Sequence, residues 1–272
     1  MTIRDLLRLA LIDPLEARIL MAHALHCSRV LLVIRENDAL SAEQVNQISG
    51  LLLRRLHGEP IAYLTGEREF YGLSFAVSPD VLIPRPETEL LVELAIERLP
   101  QSGRAADLGT GSGAVAVSLA HTRRDAQITA TDISNEALTI AHRNAEQHRV
   151  KIQFLRSDWY EALEGAFDLI VSNPPYIAAS DVHLSQGDLR FEPPSALTDH
   201  ATGMTALSAI IEGAPAYLKR GGWLLLEHGY DQASAVRTQL THAGWSDVQS
   251  WKDLAGIERI TGGRHQAALS DK

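Results

Sequence analysis

From Glu87 onward the sequence switches repeatedly between two hydrophobic periods, and this alternation restricts the fold more than any other feature of the chain. ETELLVELAIERL, GAVAVSLAHTR and SNEALTIAHRNAEQH carry apolar residues at helical spacing, whereas RAADL, AQITATDI, KIQFLRSD and FDLIVS are short apolar runs suited to buried strands. Strands separated by helices pair in parallel and are covered on both faces. An α/β fold with a mainly parallel sheet is therefore expected, with ligands at the carboxyl ends of the strands. Beyond FDLIVS come a long loop, a helix over TALSAIIEGAPAYLK, a strand in GGWLLLEHG and a helix over residues 231–243. GGRHQAAL is expected to form the last strand and SDK a frayed tail.

The first 58 residues have a different texture. Leu6, Leu7, Leu9 and Ala10, then Ile19, Leu20 and Leu25, then Val45, Ile48, Leu52 and Leu56 recur at helical spacing, with Pro14 and Ser41 at first-turn and capping positions. A small helical bundle is predicted over 1–58. Residues 59–86, broken by Gly66, Gly72, Pro79, Pro84 and Pro86, read as a linker in which EREFYGLSFAV forms a hairpin turning near Gly72. The catalytic domain then occupies 87–272.

Charge and cysteine content narrow the class. The net charge of −9 falls outside residues 1–60, which balance seven basic against seven acidic side chains, and neither part shows the basic stripe of a domain that grips bare nucleic acid. No stable nucleic-acid binding is expected. Cys27 is the only cysteine, so no internal disulfide forms, and no Cys/His spacing suggests a metal. Arg4, Asp5 and Arg8 interrupt the apolar pattern of the N-terminus, and no stretch reaches the ~20 apolar residues of a membrane span. The expectation is a cytoplasmic protein, neither exported nor embedded.

The chemistry gathers at strand ends. After RAADL comes GTGSG, where Gly109, Gly111 and Gly113 remove side chains beside Thr110 and Ser112, and the next helix offers free amide donors. The glycines alone would also fit a dinucleotide site. Asp107 leans the reading toward a methyl donor, because its carboxylate would repel a pyrophosphate but favour the ammonium of S-adenosylmethionine; a tight turn with no ligand is the alternative. Asp132 ends the next strand, where an acid accepts both hydroxyls of a ribose. Asp158 and Trp159 follow the third strand, where they could bond an adenine amino group and cover its ring, or where Trp159 could simply join the core; the shared sheet edge favours the first.

After the fourth strand stand Asn173, Pro174, Pro175 and Tyr176. The prolines fix φ and donate no hydrogen bond, which leaves carbonyls free to accept. A planar NH2 group fits there, giving one hydrogen to the Asn173 side-chain oxygen and one to the Pro174 carbonyl, with Tyr176 alongside. Such a nitrogen is a poor nucleophile because its lone pair is delocalised, as the ~18–20 kcal/mol peptide rotation barrier indicates. Two hydrogen bonds of about 0.5–1.5 kcal/mol net cannot repay that resonance, but they orient the nitrogen for in-line attack on a methyl group. No His, Cys or Ser nucleophile is needed, and the eleven histidines show no triad or metal spacing.

DLGTGSG, Asp132, the pair Asp158 and Trp159, and NPPY together resemble the class I S-adenosylmethionine-dependent amino-methyltransferases. PIAYLTGEREFYGLSFAVSPDVLIPRPETELLVE, FEPPSAL and KDLAGIERI narrow the resemblance, over essentially the whole chain, to the release-factor glutamine methyltransferases of the PrmC/HemK family. The resemblance implies a Rossmann-like domain with a mostly parallel seven-stranded sheet, preceded by a helical domain that docks substrate. It implies S-adenosyl-L-methionine as methyl donor and peptide-chain release factors as partners, methylated on the glutamine of their GGQ motif. Gly109 to Gly113, Asp132, Trp159 and Asn173 would bind the donor, and Asn173 to Tyr176 would seat the glutamine. Arg85, Glu87 and Thr88 would shape the pocket or simply cap a helix, and Glu192 is similarly placed. The NPPY tetrad also occurs in enzymes that methylate exocyclic amines of DNA or rRNA, which is the alternative reading. A third is a non-catalytic binding module retaining the nucleotide fold.

Overall fold

The computed structural model describes residues 1–266, which divide into two compact units, 1–67 with 186–191, and 68–185 with 192 onward. The SDK tail and the end of GGRHQAAL lie outside the described residues. The division falls after the helices and leaves the hairpin with the larger unit, whereas sequence texture suggested boundaries at 58 and 86.

The first unit is helical: α1 (Ile3–Leu9), α2 (Pro14–Ala24), α3 (Arg29–Ile34), α4 (Ala42–Leu56) and the short α5 (Ile61–Thr65). Local chemistry sets the boundaries. Thr2 with Asp5, and Ser41 with Gln44, close reciprocal capping boxes on α1 and α4, while Asp13 caps α2 ahead of Pro14. Ile3, Leu6, Met21, Leu32 and Ile48 form the core of the bundle. Residues 186–191 are tied into this unit by Arg55, which reaches Asp188 at 3.2 Å, and by Arg190, which donates to the His57 carbonyl at 2.6 Å.

The second unit opens one residue into the hairpin β1 (Glu67–Phe70) and β2 (Leu73–Ala76). Its two-residue turn holds Tyr71 at φ 53 and Gly72 at φ 70, the pair of left-handed residues that a tight hairpin turn demands. There follow α6 (Glu89–Arg98), β3 (Arg104–Leu108), α7 (Ala114–Thr122), β4 (Gln127–Asp132), α8 (Asn135–Gln147), β5 (Gln153–Arg156), β6 (Phe167–Ser172), α9 (Pro194–Leu197), α10 (Thr205–Gly213), β7 (Leu218–Glu227), α11 (Ala233–His242), β8 (Ser246–Lys252) and β9 (Glu258–Arg264).

Seven strands form one sheet in the order β5-β4-β3-β6-β7-β9-β8. The first five are parallel, and β9 pairs antiparallel with both β7 and β8. This is the expected Rossmann-like arrangement. Strand residues alternate between two cores: Ala105, Leu169, Val171 and Leu225 pack in one cluster with α6 and α7, while Ala106, Ile170, Leu224 and Leu226 join the other with α10 and α11. Strand order reverses at β3, which lies between β4 and β6, and crevices open at such reversals.

Three elements differ from expectation. The helix predicted to run to Lys219 ends at Gly213, because Pro215 has no amide to continue it, and Leu218 already begins β7. The last strand starts at Glu258 rather than at Gly262. Ser246–Lys252 forms β8, where no strand was assigned. Among the described residues, no helix is long and apolar enough to cross a membrane.

Candidate active site

The carboxyl ends of β3, β4, β5 and β6 surround a cleft of about 1060 Å³ of empty space, part of it open to solvent. Asp107, Gly109, Thr110, Gly111, Ser112, Asp132, Asp158, Trp159, Asn173 and Pro175 line it, together with Arg85 and Thr88. Residues 66 positions apart in sequence, Asp107 and Asn173, thus share one cavity because β3 and β6 are neighbours in register.

Asp107 is 2% exposed and accepts a hydrogen bond from the Thr110 hydroxyl at 2.7 Å. Burial pushes its carboxyl from an ordinary 3.8 up to about 7, although the Thr110 hydroxyl and the Ala116 amide pull the other way. No cation among the described residues pairs with it. A buried carboxyl without a counter-charge, lining a cleft, has the chemistry to pair with a cationic ligand.

The glycines divide their work. Gly109 is exposed at φ 70, where an added Cβ would lie 3.5 Å from the Trp159 ring, and Gly111 at φ 56 has open space above it. Gly113 does not line the cleft. A Cβ there would meet Ala141 at 3.1 Å, so this glycine, expected to admit a ligand, instead lets α7 approach α8. Asn144 of α8, 0% exposed, fixes the loop from behind: its amide donates to the Ser112 carbonyl at 2.8 Å and the Ala76 carbonyl at 3.0 Å, and its oxygen accepts from the Ala76 amide at 2.7 Å.

Asp132 holds the same loop from the cleft side, accepting from the amides of Gly111 and Ser134, each at 2.9 Å. Each carboxylate oxygen keeps a further lone pair for a ligand hydroxyl. Burial raises this carboxyl too, against the pull of those amides. Trp159 sits at φ 44, a strained conformation for a bulky side chain that turns the chain sharply after β5.

Of the tetrad, Asn173 and Pro175 line the cleft, whereas Pro174 and Tyr176 do not. No donor among the described residues reaches the Pro174 carbonyl. Tyr176 packs against the α10 and α11 cluster, donates its hydroxyl to Glu227 at 3.3 Å, and has its carbonyl held by Gln232 at 2.9 Å. These contacts keep the Tyr176 side chain, expected to pack alongside the substrate, off the cleft lining. Arg85 pairs with the fully buried Glu192, which also takes the Ile83 amide at 3.0 Å. Thr88 is 4% exposed and accepts from the Asn173 side-chain amide at 3.3 Å, and Glu87 stays off the cleft.

Sequence reasoning missed Asn144 and Glu227. Glu227 ends the buried β7 just as Asp107 and Asp132 mark the ends of β3 and β4, a signal present in LLLEHG.

Two family patterns match the chain: the Methyltransferase small domain over residues 86–190 and the PrmC N-terminal domain over residues 2–66. The release factor glutamine methyltransferase of Burkholderia pseudomallei is 53% identical over 273 residues, covering 97% of this chain and 96% of that protein. The chain belongs to the release factor glutamine methyltransferase family. Its relative of the same name in Neisseria gonorrhoeae is 48% identical over 272 residues, covering 99% of this chain and all of the other. Among solved structures, a methyltransferase from Pyrococcus furiosus superposes with a TM-score of 0.57 at 21% identity, over 80% of this chain and 100% of its own, which supports the fold.

Proposed function

We propose that this protein transfers a methyl group from S-adenosylmethionine to the side-chain amide nitrogen of the glutamine in the GGQ motif of peptide-chain release factors. The carrying observation is that one cleft brings together the buried, unpaired carboxyl of Asp107 and the side chain of Asn173. The cleft suits the methyl donor on three counts: Asp107 offers a partner for an ammonium, Asp132 has lone pairs left for ribose hydroxyls, and Gly111 leaves open space at the backbone.

When bound, the donor supplies an electrophilic methyl carbon on a sulfonium sulfur. The protein orients what attacks it. Asn173 donates one amide hydrogen to Thr88, so its carbonyl oxygen is left to accept from the substrate NH2, and the Pro174 carbonyl accepts the second substrate hydrogen. These bonds hold the amide nitrogen in line with the methyl carbon and bear the positive charge that develops on it. The proton shed by the nitrogen passes to solvent water, since neither carbonyl oxygen is basic enough to keep it.

The helical unit is read as the docking surface for the release factor, since α3 buries only Leu32 and exposes Val30, Val33 and Ile34. Deleting residues 1–60 is expected to abolish methylation of intact release factor while donor binding persists. Full activity after deletion would remove that role. A cytoplasmic setting and the absence of stable nucleic-acid binding complete the reading.

The test is incubation with labelled donor and each of three substrates: release factor, release factor with the GGQ glutamine replaced by alanine, and DNA or rRNA. Label entering only the first is the expected result. Label in nucleic acid would instead favour methylation of an exocyclic base amine.

A further inference from the structure

Glu227 closes β7 with 1% exposure and lies beside two hydroxyls that belong to the 173–176 turn and its surroundings. Tyr176 donates to its Oε1 at 3.3 Å. Its Oε2 has no hydrogen-bond partner among the described residues. Burial pushes this carboxyl up to about 7, against the pull of the Thr88 and Tyr176 hydroxyls. Buried carboxyls that serve stability alone are normally saturated with donors, so a half-satisfied one behind a catalytic turn calls for another explanation.

Proton counting supplies it. A threonine hydroxyl has a single hydrogen and the Thr88 oxygen already accepts from Asn173 Nδ2, so that hydrogen must go to another acceptor. The partnerless Oε2 side of the Glu227 carboxyl offers one, since a carboxyl keeps an acceptor oxygen whether ionised or protonated. The chain of donors therefore runs one way, from the Asn173 NH2 to the Thr88 oxygen and from the Thr88 hydrogen to Glu227. A flipped Asn173 amide would take the Thr88 hydrogen for itself, strip Glu227 of it, and present NH2 to a substrate that also presents NH2.

We propose that Glu227 is a positioning residue for methyl transfer, acting through Thr88 and Tyr176 to hold the Asn173 amide with its oxygen toward the substrate and to fix the turn that carries it. This rests on the reading that Asn173 seats the substrate amide. A Thr88 hydroxyl closed onto Glu227 would satisfy the orphan oxygen.

The experiment compares steady-state methylation of release factor, donor affinity and thermal midpoint in the full-length protein and its Glu227→Leu, Glu227→Gln, Thr88→Val and Thr88→Ser variants. Wild-type turnover is the control for the proposed function itself, so failure of that reading is seen separately. Expected for Glu227→Leu and Thr88→Val is a fall in kcat of about tenfold or more with donor Kd within about twofold. Glu227→Gln, which keeps an acceptor oxygen, and Thr88→Ser, which keeps the hydroxyl, should each recover about a third or more of wild-type kcat. The double variant Thr88→Val/Glu227→Leu should be no more than about threefold worse than the poorer single, because both changes break one relay. Should Glu227→Leu fail to fold, the contrast between Thr88→Val and Thr88→Ser decides alone. The proposal is overturned if kcat stays within about twofold of wild type in Thr88→Val, if the two losses multiply in the double variant, or if donor affinity falls in step with turnover.

Discussion

Replacing Asp107 by Asn tests how the cleft recognises its donor, because the substitution keeps shape and removes only charge. In the ligand-free protein burial lifts this carboxyl to about 7. A bound ammonium would favour the anion, so donor binding must displace a proton below that value. Affinity should then tighten by about tenfold per pH unit as pH rises from 5 toward 7 and level off above it. It should weaken again beyond about pH 8, where an α-amino group loses its own charge. At pH 7.5 loss of the buried charge pair should cost Asp107→Asn on the order of 30- to 100-fold in Kd, corresponding to about 2–3 kcal/mol. Stability carries the opposite sign. A folded-state pKa raised above its unfolded value means that ligand-free stability is greatest below about pH 4 and declines as pH climbs toward 7. Asp107→Asn should therefore raise the ligand-free thermal midpoint above neutral pH, by up to the order of 4 kcal/mol of unfavourable charge burial. Titration calorimetry from pH 5 to 9 and thermal melts over the same range measure both effects. Superimposable affinity profiles for wild type and variant, or a lower neutral-pH midpoint in the variant, would refute the reasoning.

Other substitutions separate the remaining roles. Asn173→Ala should reduce turnover by about 10²–10³-fold while donor Kd changes only a few fold, checked by single-turnover methylation and calorimetry; an equal loss of donor affinity would show the residue misassigned. Asp132→Ala should do the reverse, chiefly weakening the donor, because it removes both the ribose acceptor and the bond to the Gly111 amide. Asn144→Ala deletes three buried hydrogen bonds to Ala76 and Ser112 and should cost about 2–4 kcal/mol in denaturant unfolding with a parallel loss of donor affinity.

What the sequence disclosed follows from the range of the interactions involved. β3, β4 and β6 were legible because each is a short apolar run with a polar residue at or next to its end, and the glycine loop is visible where Asp107 and three glycines fall together. β8 was not, since Ser246–Lys252 is half-exposed at the sheet edge and its residues give no buried run. The start of β9 was misread because Gly262 and Gly263 look like punctuation. In the structure a Cβ at Gly262 would fall 2.4 Å from the Leu224 carbonyl, so glycine there permits close strand approach rather than ending a strand. At the site, residues at strand ends could be listed from the pattern, but their partnerships could not. Thr88 meets Asn173 across 85 positions and Tyr176 meets Glu227 across 51, and only the parallel order of β3, β6 and β7 brings these together.

In the reaction proposed above, Asn173 and Pro174 present a planar amide nitrogen to a methyl carbon held beside the glycine loop. A crystal structure with S-adenosylhomocysteine and a glutamine-containing release-factor peptide measures this directly. The account predicts that the glutamine nitrogen lies about 2.8–3.2 Å from both Asn173 Oδ1 and the Pro174 carbonyl oxygen, with the homocysteine sulfur in line beyond it. A glutamine bound elsewhere, or one whose nitrogen meets the Asn173 amide nitrogen instead, would contradict it.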